Sequence, residues 1–167
     1  MLMADNVKRV VMMIAKILRD INIVNGVEPS DLMYRVAVQK IGYLLQKIGG
    51  EDLGLRFEWL TMGPYSRSLQ NHYYTIARLI SNGDIELVEH DLQIVNRVEH
   101  FISMLREAIG YLDIQLLEIV ASLIMICTDI YPKVDDPANE LINRKRNVSR
   151  DIVERVLHFL KGNGICV

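Results

Sequence analysis

The sequence predicts a mainly α-helical domain of about seven helices with one small antiparallel β-hairpin. Apolar residues recur every three or four positions over most of its 167 residues. Ser or Asp caps and Gly or Pro stops punctuate those runs. Strict alternation is confined to two short stretches, "GLRFEWLTMG" and "IELVEHD". The expected organisation is a single domain over 1–167, with a winged-helix-like half at 1–91 and a helical half at 92–167 around a buried central helix.

Val7, Val10, Val11, Ile14, Ile17, Leu18 and Ile21 form the stripe of a first helix that should end near Asn25-Gly26. Glu28-Pro29-Ser30-Asp31 begins a second, with Val38, Ile41, Leu44, Leu45 and Ile48 inward and Gly49-Gly50 as its stop. In "GLRFEWLTMG", Leu55, Phe57 and Trp59 share one side, the period of a half-buried strand that Gly63-Pro64 ends. Ser66 is the expected cap of a third helix closed by Asn82-Gly83-Asp84, and "IELVEHD" the expected strand partner of the Phe57 stretch. This helix, turn and strand series suggests the winged-helix outline.

Val95, Val98, Ile102 and Leu105 mark a fourth helix, and Ile114 to Asp129 a fifth that is apolar nearly all round and so buried. Asp136-Pro137 caps and opens a sixth, and Ser149 caps a seventh carrying Ile152, Val153, Val156, Leu157 and Leu160.

A formal net charge of −2 argues against a protein that coats nucleic acid by charge alone. Half of the residues are hydrophobic, which suggests apolar surface covered by a partner or a second copy. The N-terminal helix is amphipathic rather than a signal, and the apolar run from Ile114 falls short of the roughly 20 residues a bilayer demands, so the expected compartment is the cytoplasm. Cys127 and Cys166 lie far apart outside any C-x-x-C pair, giving little support to a metal site or a disulfide and making Cys127 a small core residue. No nucleotide, zinc or nucleophile-elbow motif is present, so no cofactor, metal or catalytic residue is expected.

The densest motif is "FEWLTMGPYSRSLQNHYY", where Gly63-Pro64 sets a corner beside Trp59, Tyr65, Tyr73 and Tyr74. Taken with Gln39, Lys40, Tyr43, Leu44 and Leu45 upstream and with Phe57, Ser66 and Leu69, it resembles the pattern Leu-Gln-Lys-x-x-Tyr-Leu-Leu, an aromatic strand, then Tyr-Gly-Pro-Tyr-Ser-x-x-Leu. This is the signature of the YwgA-like proteins, relatives of the Panacea or SocA-like antitoxin domain. The resemblance runs from about Arg35 to the tail "NRKRNVSRDIVERVLHFLKGNGICV"; Val38 and Met62 depart from it, each apolar for apolar. It implies a helical domain with a short sheet, no catalytic residues, and an antitoxin-like or adaptor role toward a partner protein such as a toxin.

The expected partner-binding set is therefore Gln39, Lys40, Tyr43, Gly63, Pro64, Tyr65, Ser66 and Arg67, with Tyr65 as anchor and Arg67, Gln39 and Lys40 for orientation. A structural reading competes: the aromatics pack around the corner, and Gln39 bonds the corner's backbone. Arg144, Lys145, Arg146 and Arg150 form a basic cluster that would hold phosphates if the chain were a winged-helix DNA-binding regulator, although basic residues also suit a helix C-terminus. Arg67 and His72 match the R-x4-H spacing of some helical ribonucleases, a spacing common by chance.

Overall fold

Seven helices and one two-stranded sheet form among the described residues. The computed structural model describes residues 4–24, 26–145 and 147–167; Asn25 and Arg146 lie outside the described residues. Helix α1 (Ala4–Ile21) stops before Asn25, because Asn22 takes the left-handed conformation at φ 52° and its N–H bonds Leu18 O at 3.2 Å. Asp31 caps α2 (Leu32–Lys47) by accepting the Met33 N–H at 3.0 Å, as its position before an apolar-periodic run predicts.

Strand β1 (Glu58–Leu60) pairs antiparallel with β2 (Gly63–Tyr65), in the register Glu58 to Tyr65, Trp59 to Pro64 and Leu60 to Gly63. The hairpin is therefore tighter than the sequence suggests, with Thr61-Met62 as its loop and Gly63, at φ 92°, opening the second strand. The segment expected to pair with β1 does not do so. Ile85 to Val88 is an extended approach to α4 (Glu89–Ile109), in which Ile85 and Leu87 turn inward while Glu86 and Val88 face out. Its alternation is real but meets the helical core, so the pairing that suggested a winged helix is absent.

Ser66 caps no helix: it is buried, its hydroxyl lies 2.9 Å from Ser68 Oγ, and a 3₁₀ turn (Leu69–His72) precedes α3 (Tyr73–Asn82). Gly83 closes α3 in the left-handed conformation. Helix α5 (Ile114–Thr128) is buried along most of its length, and α6 (Pro137–Arg144) and α7 (Arg150–Gly162) start at the Asp136-Pro137 and Ser149 caps that the sequence marks.

One hydrophobic core runs through the whole series. Helix α2 packs against α1, α4, α5 and β2, while α5 packs against α2, α6, α7 and β2. Two buried helices thus lie at the centre instead of one. The close fit of α2 shows at Gly42, where a Cβ would fall 2.5 Å from Leu69 Cδ1 and 3.5 Å from Ile14 Cδ1. Cys127 and Cys166 are joined by a disulfide with Cα atoms 5.5 Å apart, contrary to the sequence-based expectation, because the fold alone brings the C-terminal tail back to the end of α5. No single helix among the described residues is long and apolar enough to cross a membrane.

Candidate functional site

Helix α2, which packs against β2 and α5, carries Gln39, Lys40 and Tyr43, and all three are buried. Gln39 uses both ends of its amide. Its Oε1 accepts the Ser66 N–H at 2.8 Å, and its Nε2 donates to Ser66 O at 3.0 Å and to the Tyr73 hydroxyl at 2.9 Å. It holds the chain just past Gly63-Pro64, the structural role, at Ser66 rather than at the corner. Gln39→Ala would leave three buried polar groups unpaired, and a destabilisation of about 3 kcal/mol in urea unfolding is expected. Unchanged melting with loss of a bound partner would sink that assignment.

Lys40 donates to Pro64 O at 2.7 Å and is 1 % exposed. Burial drives its ammonium down to about pKa 7, opposed by the charge of Glu118 and assisted by that of Lys145. Glu118 is itself bonded to Lys145, so its charge is shared between two cations. Close by, Ser122 Oγ is buried without a hydrogen-bond partner among the described residues, and a Cβ on Gly63 would lie 2.3 Å from it and 3.6 Å from Lys40 Nζ. Gly63 is therefore required both by its φ and by the approach of α5. Gly63→Ala is expected to cost about 3 kcal/mol, and Ser122→Ala, which removes an unpaired hydroxyl, to be neutral or stabilising by about 1 kcal/mol. Equal destabilisation by the two changes would contradict this packing.

Tyr43 donates its hydroxyl to Asp129 at 2.7 Å and meets the Phe57 ring edge-on at 5.1 Å between centroids; burial pushes its phenol far up. Gln39, Lys40, Tyr43, Gly63, Pro64 and Ser66 are thus inside the protein, which corrects the expectation that they face a partner. Tyr65 and Arg67 do reach the surface. Tyr65 is half-buried with its hydroxyl 2.8 Å from Gln70 Oε1, and Arg67 pairs with Glu58 at 2.7 Å in full view of solvent.

The basic cluster is largely neutralised by its neighbours. Arg144 bonds Glu140 at 2.9 Å and lies 4.9 Å from the Trp59 ring centroid, Lys145 joins Glu118 and Thr61 O, and Arg150 lies 3.7 Å from Glu154. Arg146 is outside the described residues. Arg67 and His72 share no hydrogen bond among the described residues, since Arg67 turns back to the hairpin while His72 ends the 3₁₀ turn.

A pocket of about 200 Å³ lies between the first turns of α2 and the hairpin, with Leu32, Val36 and Met62 as its apolar wall and Tyr65 and Gln70 at its polar side. Arg35, which sequence reasoning passed over, also lines it. Its Nε donates to Pro29 O at 2.6 Å and its guanidinium stacks 5.1 Å from the Tyr73 ring centroid. The Tyr73 phenol is raised to about 12, chiefly by burial. The missed signal was the i, i+4 spacing of Arg35 and Gln39 on α2, which puts both beside the same tyrosine. Also unforeseen is Arg9, which ties α1 to α4 through buried Asp91, the nearest pair at 2.8 Å, and reaches Glu51 at 3.3 Å.

Compared with protein-family models, curated proteins and solved structures, the chain matches none.

Proposed function

We propose that the chain is a non-enzymatic protein-interaction module of the YwgA-like, Panacea-related kind, an antitoxin-like or adaptor protein acting in the cytoplasm. The observation that carries this reading is the pocket beside Tyr65, because an exposed leucine forms part of its wall and further large apolar side chains are exposed at positions adjoining its lining residues in sequence. Leu32, in its wall, is 61 % exposed, Met33 follows it on the outside of α2, and Tyr74 is 63 % exposed beyond Tyr73. Aromatic and aliphatic anchors around a small concavity are what a partner chain buries. The buried motif residues serve this surface indirectly: Gln39 fixes Ser66 and Tyr73, and Lys40 fixes Pro64, so the hairpin and the 3₁₀ turn present Tyr65 and Arg67 in one geometry. The alternative of a DNA-binding regulator is weakened by the carboxylate partners of Arg144, Lys145 and Arg150.

Affinity purification of the tagged chain from its native host, with and without nuclease, tests the reading. One protein should co-purify in stoichiometric amount regardless of nuclease, and Leu32→Asp with Arg67→Glu should release it at least tenfold without lowering the melting temperature. An eluate emptied by nuclease, or a partner retained by the double variant, would overturn it.

A further inference from the structure

We infer that the pocket beside Arg35 receives the C-terminal end of a partner polypeptide, taking its terminal carboxylate on Arg35 and its last, apolar side chain against Leu32, Val36 and Met62. This deepens the interaction reading and rests on it. Arg35 is already positioned for such a contact: Nε is held by Pro29 O, Cζ lies over the Tyr73 ring at 5.1 Å from its centroid, and neither terminal nitrogen has a protein hydrogen bond among the described residues. A guanidinium fixed in this way presents two parallel N–H donors, which match a carboxylate in bidentate geometry. The charge of the pocket agrees. Arg35 lines it and no acidic residue does, so an anion entering meets a guanidinium and no opposing carboxylate.

Size and surroundings select the end of a chain over a longer internal segment or a free acid. About 200 Å³ holds one terminal residue, and a chain leaving the pocket would run over Leu32 and Met33, which stand 61 % and 42 % exposed on the first turn of α2. A free acid would reach the pocket wall but would leave Met33 uncovered. Capture of chain ends by fixed donors is a recurring mode of peptide recognition.

Fluorescence anisotropy tests this with fluorescein-labelled Ser-Gly-Ser-Gly-Ala-X hexapeptides, X being Val, Leu, Met or Phe, each as free acid and as C-terminal amide. At least one free acid should bind saturably and its amide at least tenfold more weakly. Arg35→Met and Arg35→Lys should each lose at least tenfold, the lysine variant because it keeps the charge but not the fork, while Arg78→Met on the exposed face of α3 should bind as wild type. The matching N-acetyl amino acid should compete at least tenfold less well than the peptide. Binding by no free acid, equal binding of the amide, full binding by the Arg35→Lys variant, or equal competition by the N-acetyl amino acid would each overturn the inference. Its failure is distinguishable from failure of the interaction reading, since a co-purified partner that still binds after amidation or deletion of its own C-terminus, yet is released by the Leu32 and Arg67 changes, leaves the interaction reading standing.

Discussion

Between pH 7 and about pH 9.5 the unfolding free energy of the wild-type chain is expected to rise by about 3 kcal/mol, and in Lys40→Met this rise is expected to be absent. The folded pKa of Lys40 lies near 7, far below the 10.5 of the unfolded chain. Through this window the unfolded chain therefore holds a proton that the folded chain has released, so stability increases with pH by roughly 1.4 kcal/mol per unit. Below pH 7 both states carry the charge and the penalty for burying it is constant. Above about pH 10 the opposite linkage enters, because burial raises the phenols of Tyr34 and Tyr43 and the folded chain keeps protons that the unfolded chain loses. Glu99, raised to about 7 chiefly by burial, has its effect at lower pH, where stability falls as pH rises from the unfolded carboxylate value. The window from 7 to 9.5 thus isolates Lys40. Urea titrations of both proteins at four pH values give the slope directly, and parallel curves would show that the ammonium is solvated in the folded state.

That buried lysine marks where the sequence stops being legible. Local features carry well: Asp31, Asp136-Pro137, Ser149 and Gly83 end or begin helices where their backbone chemistry says they should. Periodicity also places α5 correctly, because a helix without a polar face has nowhere to go but inside. It places α2 and its inward residues as well, but says nothing of what the polar residues of that helix meet. Arg35, Gln39, Lys40 and Gln46 resemble a solvent face, yet Gln39, Lys40 and Gln46 bond backbone at Ser66, Pro64 and Leu55, two of them across more than twenty positions of sequence. A polar side chain that satisfies a loop looks, in sequence, like one that meets water. The hairpin fails differently, since both "GLRFEWLTMG" and "IELVEHD" alternate and only pairing decides which makes a strand; Gly63-Pro64-Tyr65, which has the composition of a stop, supplies the partner. The site residues are accordingly legible in part. The motif locates the right corner, but burial of Gln39, Lys40 and Ser66 and the positioning of Arg35 depend on packing between α2, β2 and the 3₁₀ turn.

Reduction of the Cys127–Cys166 bond is expected to lower stability by about 4 kcal/mol, and the melting temperature by roughly 10 °C. The bond spans 39 positions and closes a loop that contains α6 and α7, so breaking it returns to the unfolded chain the freedom of that whole segment. In the folded chain little is expected to move, since Cys166 is 2 % exposed and the tail is also held by the Ile165 N–H bond to Leu160 O at 3.0 Å. The loss should therefore appear in the denaturant midpoint while the circular dichroism of the folded protein stays unchanged. Cys127→Ser should reproduce the reduced midpoint and make it indifferent to dithiothreitol. A wild-type midpoint that reductant does not shift would refute the assignment of the bond as a stabilising cross-link. The same pair also bears on compartment, because a mesophile's cytoplasm keeps most thiols reduced whereas the cytoplasm of hyperthermophiles holds many disulfides. Alkylation in denaturant at the moment of cell lysis, followed by intact mass, reads the state directly: two added alkyl groups mean a tail held by packing alone, and none means that the cross-link is in place where the protein works.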